Sequence, residues 1–157
     1  MQLLLRQPAQ RLLLRSEEAE VAASPDSPGR ENWQWDIRLS RAPASGEGSL
    51  TTTLEADEVG AHHVNVRFDA RVIDAEMERC IVDDIQVLWR DEMDLCVAIM
   101  ESGAMSEGIF QVSPGDVMVW EGDDPRSIAL APLGGEPAGF VLVRIRRQDG
   151  RALRWVP

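Results

Sequence analysis

The chain of 157 residues has no lysine and no tyrosine, and it has only two cysteines and two histidines. Two thiols without a secretion signal give no disulfide framework, so the expected compartment is a reducing cytoplasm. The apolar runs are a few residues long, far short of the roughly 20 that cross a bilayer, so no membrane span is expected. Because all 16 basic residues are arginine, the composition is typical of a GC-rich bacterial genome.

The charge balance excludes one class of partner. The net charge is -11 and the isoelectric point is about 4.6. This charge repels phosphate backbones and anionic lipid, and no stripe of arginines offsets it, so nucleic acid is not an expected partner. The apolar share of 44% and the charged share of 27% are close to globular averages. At this length we expect a single domain over residues 1–157.

Clusters of glycine, proline, serine and aspartate recur along the chain at short intervals. Such residues tolerate turn dihedrals or cap their own backbone, and their spacing leaves little room for long helices. The predicted fold is therefore all-β, a sandwich or barrel of the jelly-roll type, with helix confined to one or two short segments at most. The clusters lie at 23–29, 43–48, 102–108, 113–116, 121–125, 132–139 and 148–150.

Two internal segments show the patterns of β-strands. Residues 73–78, IDAEME, alternate apolar and acidic side chains, which suits a strand with one buried face. A helix over 71–82 stays open as an alternative, because Ile73, Met77 and Ile81 would also share one helical face. The run DLCVAIM at 94–100 is nearly all apolar and predicts a strand that is covered on both sides.

The two ends of the chain also predict short strands. Residues 139–157 predict a strand, a turn at Asp149-Gly150 and a returning strand. At the other end, leucine clusters on either side of Pro8 predict two short strands, with a targeting peptide as the alternative. The polar stretch 17–31 predicts one long surface loop.

The stretch GDVMVWEGDDPR at 115–126 resembles the second motif of the metal-binding cupins, G(X)5PXG(X)2H. Alignment on Gly115 places Glu121 at the proline, Asp123 at the glycine and Arg126 at the histidine. A guanidinium at a ligand position would repel a metal ion, which needs neutral histidine nitrogens and a carboxylate. We therefore expect a cupin-like strand and turn without a metal.

The first cupin motif, G(X)5HXH(X)3-4E(X)6G, is matched still less well. With Gly103 as its closing glycine, Cys96 falls at the glutamate and only residues 89–92, WRDE, are available at the histidines. No imidazole is present there. The expectation is again that the chain binds no metal and carries no cofactor.

Two further stretches resemble the HutD/Ves family, cupin-like proteins associated with bacterial histidine utilisation. The stretch 33–50 is similar to the family segment W-x-W-x-(I/L)-S-x-A...G through Trp35, Ile37 and Ser40, and 63–80 is similar to its D-x-N-x-M-x-R-R strand through Asn65. The chain departs from the family where RLLLRSEEAE replaces W-K-N-G-G-G and where GSLTTTLEADEVG replaces F-S-x-F-P-G-x-D-R. The resemblance implies a metal-free cupin barrel or bicupin, a regulatory role in binding a small molecule, and no established enzymatic mechanism.

The candidate ligand site combines cations with aromatic and amide side chains. An arginine that faces inward from a strand needs an anion and can hold a carboxylate through two parallel hydrogen bonds. The alternative is that the arginines face water or pair with the abundant acidic residues. Tryptophan can contribute at a pocket mouth, although core packing is its more common role. The candidate residues are Trp35, Arg38, Asn65, Arg67, Trp120 and Arg126.

Other polar residues favour structural roles. His62 and His63 are neighbours, so in a strand they face opposite sides and cannot hold one ion together. Cys80 with His63 would need an orienting third group that the sequence does not supply locally, so a buried structural thiol is preferred. The acidic residues at 121–124 lack the spacing of a calcium loop and fit a solvated turn.

Three functions are compatible with these observations. The first is a sensor whose pocket binds a small anionic metabolite, as the family resemblance implies. The second is an enzyme of the isomerase or hydrolase type on the same fold, because cupin-like folds host many chemistries. The third is an interaction module with a filled interior that forms a homodimer through edge strands or an apolar patch.

Overall fold

The computed structural model describes the backbone of residues 3–5, 14–15, 19–23, 34–39, 47–57 and 60–152. It also describes the surroundings of Gly48 and the side chains of Val64, Val66, Phe68 and residues 70–152. Every regular element within these ranges is a β-strand, which confirms the all-β prediction for this part of the chain. It contains no helix long and apolar enough to cross a membrane. The strands are β1 Leu3–Leu5, β2 Leu14–Arg15, β3 Ala19–Ala23, β4 Gln34–Leu39, β5 Glu47–Asp57, β6 Gly60–Asp69, β7 Ile73–Val82, β8 Gln86–Trp89, β9 Leu95–Ser102, β10 Met105–Glu107, β11 Phe110–Val112, β12 Val117–Trp120, β13 Ser127–Pro132 and β14 Ala138–Arg147.

The strands form three sheets. The central sheet has the order β1-β12-β9-β14-β7, and the small sheet has the order β11-β10-β13-β8. Both are antiparallel throughout. The N-terminal sheet has the order β2-β3-β4-β6-β5 and contains one parallel pair, β4 with β6.

The central and small sheets pack face to face as a sandwich. Their shared core comes from alternate residues of each strand, as the two-residue period of a strand requires. Within the described ranges the sheets stay open, since the central sheet ends at β1 and β7 and the small sheet ends at β11 and β8. The closed barrel that the sequence left as an alternative is therefore not seen there. The shared core contains Val82, Cys96, Ala98, Met100, Met105, Val112, Met118, Trp120, Ile128, Leu130, Ala138, Phe140 and Leu142.

The opposite face of the central sheet is also buried. Val97 and Ile99 on β9 and Val141 and Val143 on β14 have no exposed surface. On this side β5 contacts β9. Two covered faces explain why β9 reads as a nearly unbroken apolar run, and they confirm the prediction from DLCVAIM.

The strands bear on three further predictions, which concern residues 73–82, the leucine clusters and residues 17–31. Residues 73–82 form β7 rather than a helix, and its ten residues pair along the whole of β14. The first leucine cluster before Pro8 forms β1, and Leu14 of the second cluster lies in β2. The prediction of a continuous loop over 17–31 was wrong, because β3 occupies residues 19–23 and pairs with β2 and β4.

The C-terminal hairpin is confirmed only in its first half. The strand β14 ends at Arg147, and Gly150 has a φ of 72°, which suits the predicted turn. Residues 151 and 152 are not in a strand, and the rest of the expected returning strand lies outside the described residues.

A tight glycine turn joins β9 to β10. Gly103 has a φ of 66°, and a Cβ placed there would collide with the backbone of Pro137 and Ala138 at the start of β14. Glycine is needed at this point because L-residues disfavour positive φ and because no space exists for a side chain.

Candidate functional site

The inner face of β14 changes from apolar to charged along its length. Phe140 and Leu142 belong to the shared core, and the next residues of the same parity are Arg144 and Arg146. Residues of one parity share a face of the sheet, so the two arginines continue the row of core side chains. They lie where the sandwich opens, since Arg146 is exposed and Arg144 is half-buried.

Acidic residues stand beside these arginines on the neighbouring strands. The register of β14 with β7 pairs Arg144 with Glu76 and Arg146 with Asp74. On the other side, Asp94 immediately precedes β9, which pairs with β14. These groups surround a cleft of about 250 Å³, lined by Asp74, Glu76, Asp94, Arg144, Ile145 and Arg146.

Arg146 is held toward β9 by a buried carboxylate. Its Nε donates a hydrogen bond of 2.6 Å to Oδ1 of Asp94, whose side chain is 8% exposed. A longer ion pair of 3.7 Å joins Arg146 to Asp91. The hydrogen bond to Asp94 raises the pKa of Arg146 above its ordinary value. The guanidinium is therefore fixed in orientation and stays charged at every physiological pH.

Arg144 connects the cleft to the edge of the small sheet. It donates a hydrogen bond of 2.8 Å to the backbone carbonyl of Trp89, at the end of β8. Its Nε lies 3.4 Å from Oε1 of Glu78. Arg144 thus links the central and small sheets across the open end of the sandwich.

On the acidic side of the cleft, the carboxylates do not form ion pairs with the arginines that lie opposite them. Arg144 contacts Glu78 rather than its cross-strand partner Glu76. Arg146 pairs with Asp94 and Asp91, and its interaction with Asp74 is only a longer-range electrostatic one. Among the described residues, no hydrogen bond or ion pair holds the carboxylates of Asp74 and Glu76, which are both exposed.

Another arginine, in the loop after β8, has a structural role. Arg90 is 5% exposed, and its guanidinium donates to the backbone carbonyls of Asp124 at 2.7 Å, Gly122 at 3.2 Å and Asp94 at 3.3 Å. Its backbone N–H donates to the carbonyl of Arg126. Arg90 therefore fastens the 121–126 turn to the loop between β8 and β9.

Two of the predicted site residues lie away from the cleft. Trp120 has no exposed surface and packs in the shared core, and its indole Nε1 has no hydrogen-bond partner among the described groups. Arg126 follows the turn after β12, and its guanidinium forms an ion pair with Glu92. Trp120 and Arg126 therefore do not line this cleft.

Replacement of Arg126 by glutamine is expected to change the free energy of unfolding by less than about 0.5 kcal/mol. The side chain of Arg126 is 64% exposed and that of Glu92 is 50% exposed, so water screens the ion pair. Urea denaturation of the variant and the wild-type chain measures the difference. A loss of 2 kcal/mol or more, on the order of a buried charge pair, would contradict the surface role.

The other predicted site residues lie on adjacent strands of the N-terminal sheet. The parallel register of β4 with β6 pairs Arg38 with Arg67 and Trp35 with Val64. Asn65 pairs with Asp36 on one side and with Thr51 on the other. The backbone thus brings Trp35, Arg38, Asn65 and Arg67 onto neighbouring strands, but their side chains lie outside the described residues.

The thiols are buried or half-buried and are poor nucleophiles. Desolvation, with a smaller contribution from the neighbouring Glu78, raises the pKa of Cys80 to about 11. Desolvation also raises the pKa of Cys96 to about 11. Both thiols stay protonated at neutral pH, which agrees with the structural role expected for them.

The metal expectation stays a prediction. Within the ranges that the structure describes, no three histidine, cysteine, aspartate or glutamate side chains converge as metal ligands do. The side chains of His62 and His63 are outside those ranges. In the turn after β12, the carboxylate of Asp124 accepts a hydrogen bond from the backbone N–H of Glu121, as expected for a turn that caps itself.

The outer face of the small sheet has no charged residue on β8 or β13. Val87 and Trp89 on β8 are 49% and 67% exposed, and they pair in register with Ala129 and Ser127 on β13. This face has the properties that a dimerising module requires. Homodimer formation stays a prediction, because nothing in the structure identifies an occupant.

The cleft residues Arg144 and Arg146 were missed in the sequence, where 139–147 was read only as a strand. The available signal was parity, because the two arginines occupy the same alternate positions as Phe140 and Leu142. The acidic residues of 73–78 were read as a solvated face, although the sheet places them beside these arginines.

No protein-family model, no curated protein and no solved structure matches the chain. The assignment of function therefore depends on the geometry of the cleft.

Proposed function

We propose that this chain is a metal-free, cupin-like protein of the HutD/Ves type that binds a small anionic metabolite in a regulatory role. The binding site is the cleft at the open end of the sandwich. The anion is held by Arg144 and Arg146, in place of the arginines that the sequence first suggested.

One observation carries the proposal, namely that a row of core side chains on β14 ends in two arginines that line a cleft. Strand positions that face the interior are normally apolar, since charges are costly to bury. Arg144 and Arg146 continue this face where the sandwich opens, and their guanidinium groups in the cleft support a site for an anion. The cleft of about 250 Å³ suits a metabolite of a few carbon atoms.

The internal contacts of the arginines leave donors for a ligand. The hydrogen bonds of Arg146 to described residues use its Nε, and those of Arg144 use Nε and one terminal nitrogen. A guanidinium has five N–H donors in a planar fork that matches a carboxylate. The existing bonds orient the two groups, which lowers the entropy cost of binding.

The family part of the proposal is supported by the fold and by one local element. The described residues form antiparallel sheets packed as a sandwich, an arrangement that a jelly roll also uses. The strand β12, followed by the 121–126 turn, supports the resemblance of this stretch to the second cupin motif. At the histidine positions of the first motif, Arg90 is buried and bonded to backbone carbonyls, which supports a metal-free site.

The test of this function is binding of succinate, whose two carboxylates match two arginines spaced about 6.6 Å apart along a strand. Succinate is expected to shift the side-chain Nε–H signals of Arg144 and Arg146 in NMR spectra of the labelled protein. Arg144→Gln is expected to weaken the affinity about tenfold, because a charge-assisted hydrogen bond is lost. Titration by NMR gives the dissociation constants.

Arg126→Gln is the matched control, since it removes the same charge from a surface ion pair. It is expected to leave the affinity for succinate within about twofold of the wild-type value. Equal weakening by both substitutions would show that only net charge matters, and would contradict a site at the cleft. Absence of any shift at the arginine signals would do so as well.

A further inference from the structure

The charges that line the cleft are arranged in two columns. Arg144 and Arg146 form an arginine column on β14, and Asp74 and Glu76 form a carboxylate column on β7. The columns are separated by one strand spacing, about 4.8 Å. Opposite charges therefore face the same small volume from adjacent strands.

Cross-strand neighbours of opposite charge normally pair with each other, because their Cβ atoms are only about 5 Å apart. Here neither arginine bonds its own cross-strand partner, although Glu78, which contacts Arg144, lies on the same face of β7. Arg146 is held by Asp94 on the β9 side, and Arg144 is held by the carbonyl of Trp89 and by Glu78. Asp74 and Glu76 are left facing the cleft with no ion pair within the described part of the chain.

A purely anionic ligand satisfies only the arginine column of this lining. A carboxylate bound to the arginine column would lie close to the two carboxylates of the other column, and like charges repel at such distances. A ligand that carries an ammonium group beside its carboxylate removes this repulsion. The ammonium group can donate to the carboxylate column while the carboxylate accepts from the arginine column.

We infer that the anion recognised at the cleft is an amino acid, with its carboxylate on Arg144 and Arg146 and its ammonium group on Asp74 and Glu76. The inference rests on the proposed function and specifies its ligand class. The two columns are close enough for one α-amino acid to reach both when it lies across β7 and β14.

The experiment compares L-aspartate with succinate, two molecules with the same carbon chain and the same two carboxylates that differ in the α-ammonium group. On the wild-type chain, L-aspartate is expected to bind about tenfold more tightly, the effect of one charge-assisted contact. NMR titration of the Arg144 and Arg146 side-chain signals measures both dissociation constants.

Glu76→Gln is expected to act on the two ligands in opposite directions. Removal of the carboxylate weakens L-aspartate, which loses the partner of its ammonium group, and strengthens succinate, which loses a like charge. Asp74→Asn is expected to have the same signs. Both side chains are exposed and without an ion pair in the described region, so thermal melting should show intact variants.

Glu136→Gln is the matched control. It lies in the loop before β14, eight residues and so about 25 Å along the chain from Arg144, and it changes the net charge by the same amount. It is expected to leave the ratio of the two affinities unchanged.

The outcomes separate the two proposals. If succinate binds at the arginines as tightly as L-aspartate, and Glu76→Gln strengthens both, the amino-acid inference is wrong while anion binding stands. If neither molecule shifts the signals of Arg144 and Arg146, both are wrong. A preference for L-aspartate that Glu76→Gln abolishes supports both.

Discussion

Replacement of Arg90 by methionine is expected to lower the free energy of unfolding by about 3 kcal/mol. The guanidinium of Arg90 donates to three backbone carbonyls, those of Gly122, Asp124 and Asp94, from a position that is 5% exposed. Methionine fills much of the same volume but donates no hydrogen bond, so these carbonyls lose their partner. Urea denaturation monitored by tryptophan fluorescence measures the change.

The expected value is smaller than the sum of the hydrogen bonds for two reasons. The residues Gly122 and Asp124 are half-buried, so water can replace part of what is lost. Burying the guanidinium itself is costly, and its Nε has no hydrogen-bond partner within the described part of the chain, so removal of the charge recovers some free energy. Arg126→Gln on the same turn is the control. A loss below about 1 kcal/mol would show that the turn is held by its own capping contacts.

The substitution Gly103→Ala is expected to destabilise the chain by about 3 kcal/mol or more. An alanine at a φ of 66° costs about 1 to 2 kcal/mol in backbone conformation alone. Its Cβ would also lie 2.9 Å from the Cα of Ala138 and closer still to the carbonyl of Pro137. Backbone atoms cannot rotate away as a side chain can, so the start of β14 must shift. Chemical denaturation measures the free energy of unfolding.

Gly108→Ala separates the two causes. Gly108 has a φ of 57°, but a Cβ placed there meets nothing within 4 Å. The expected loss is therefore only the conformational cost, about 1 to 2 kcal/mol. Equal losses at the two positions would show that the approach of Gly103 to Pro137 is relaxed in solution.

The strands could be predicted because their signals are local. Residues 73–78 alternate apolar and acidic side chains and form part of β7, and residues 94–100 form an apolar run that becomes most of β9. In each case the number of covered faces is visible in the sequence itself. The prediction of a loop over 17–31 was wrong because its alanines and acids give no clear period, and β3 forms there by pairing with β2 and β4.

The cleft could not be predicted because its composition is set by non-local contacts. Alternation shows that Arg144 and Arg146 share a face with Phe140 and Leu142, but it does not show which face the small sheet covers or where that cover ends. Arg126 was chosen because a motif placed it at the end of a strand. In the structure, Arg90 fastens the intervening turn and Arg126 reaches the surface at Glu92.

The residues on the inner face of β14 change from apolar to charged along the strand, so the two parts of the strand are under different evolutionary constraints. Residues 138–143 are held by packing on both faces, so substitutions there are removed because they unfold the chain. Arg144 and Arg146 lie where that packing ends, and in the proposed site they would hold the ligand while they also bond to the carbonyl of Trp89 and to Asp94. Under the proposed function, a change of ligand preference through these two positions must therefore keep or replace those contacts, whereas the apolar part of β14 is constrained by packing alone.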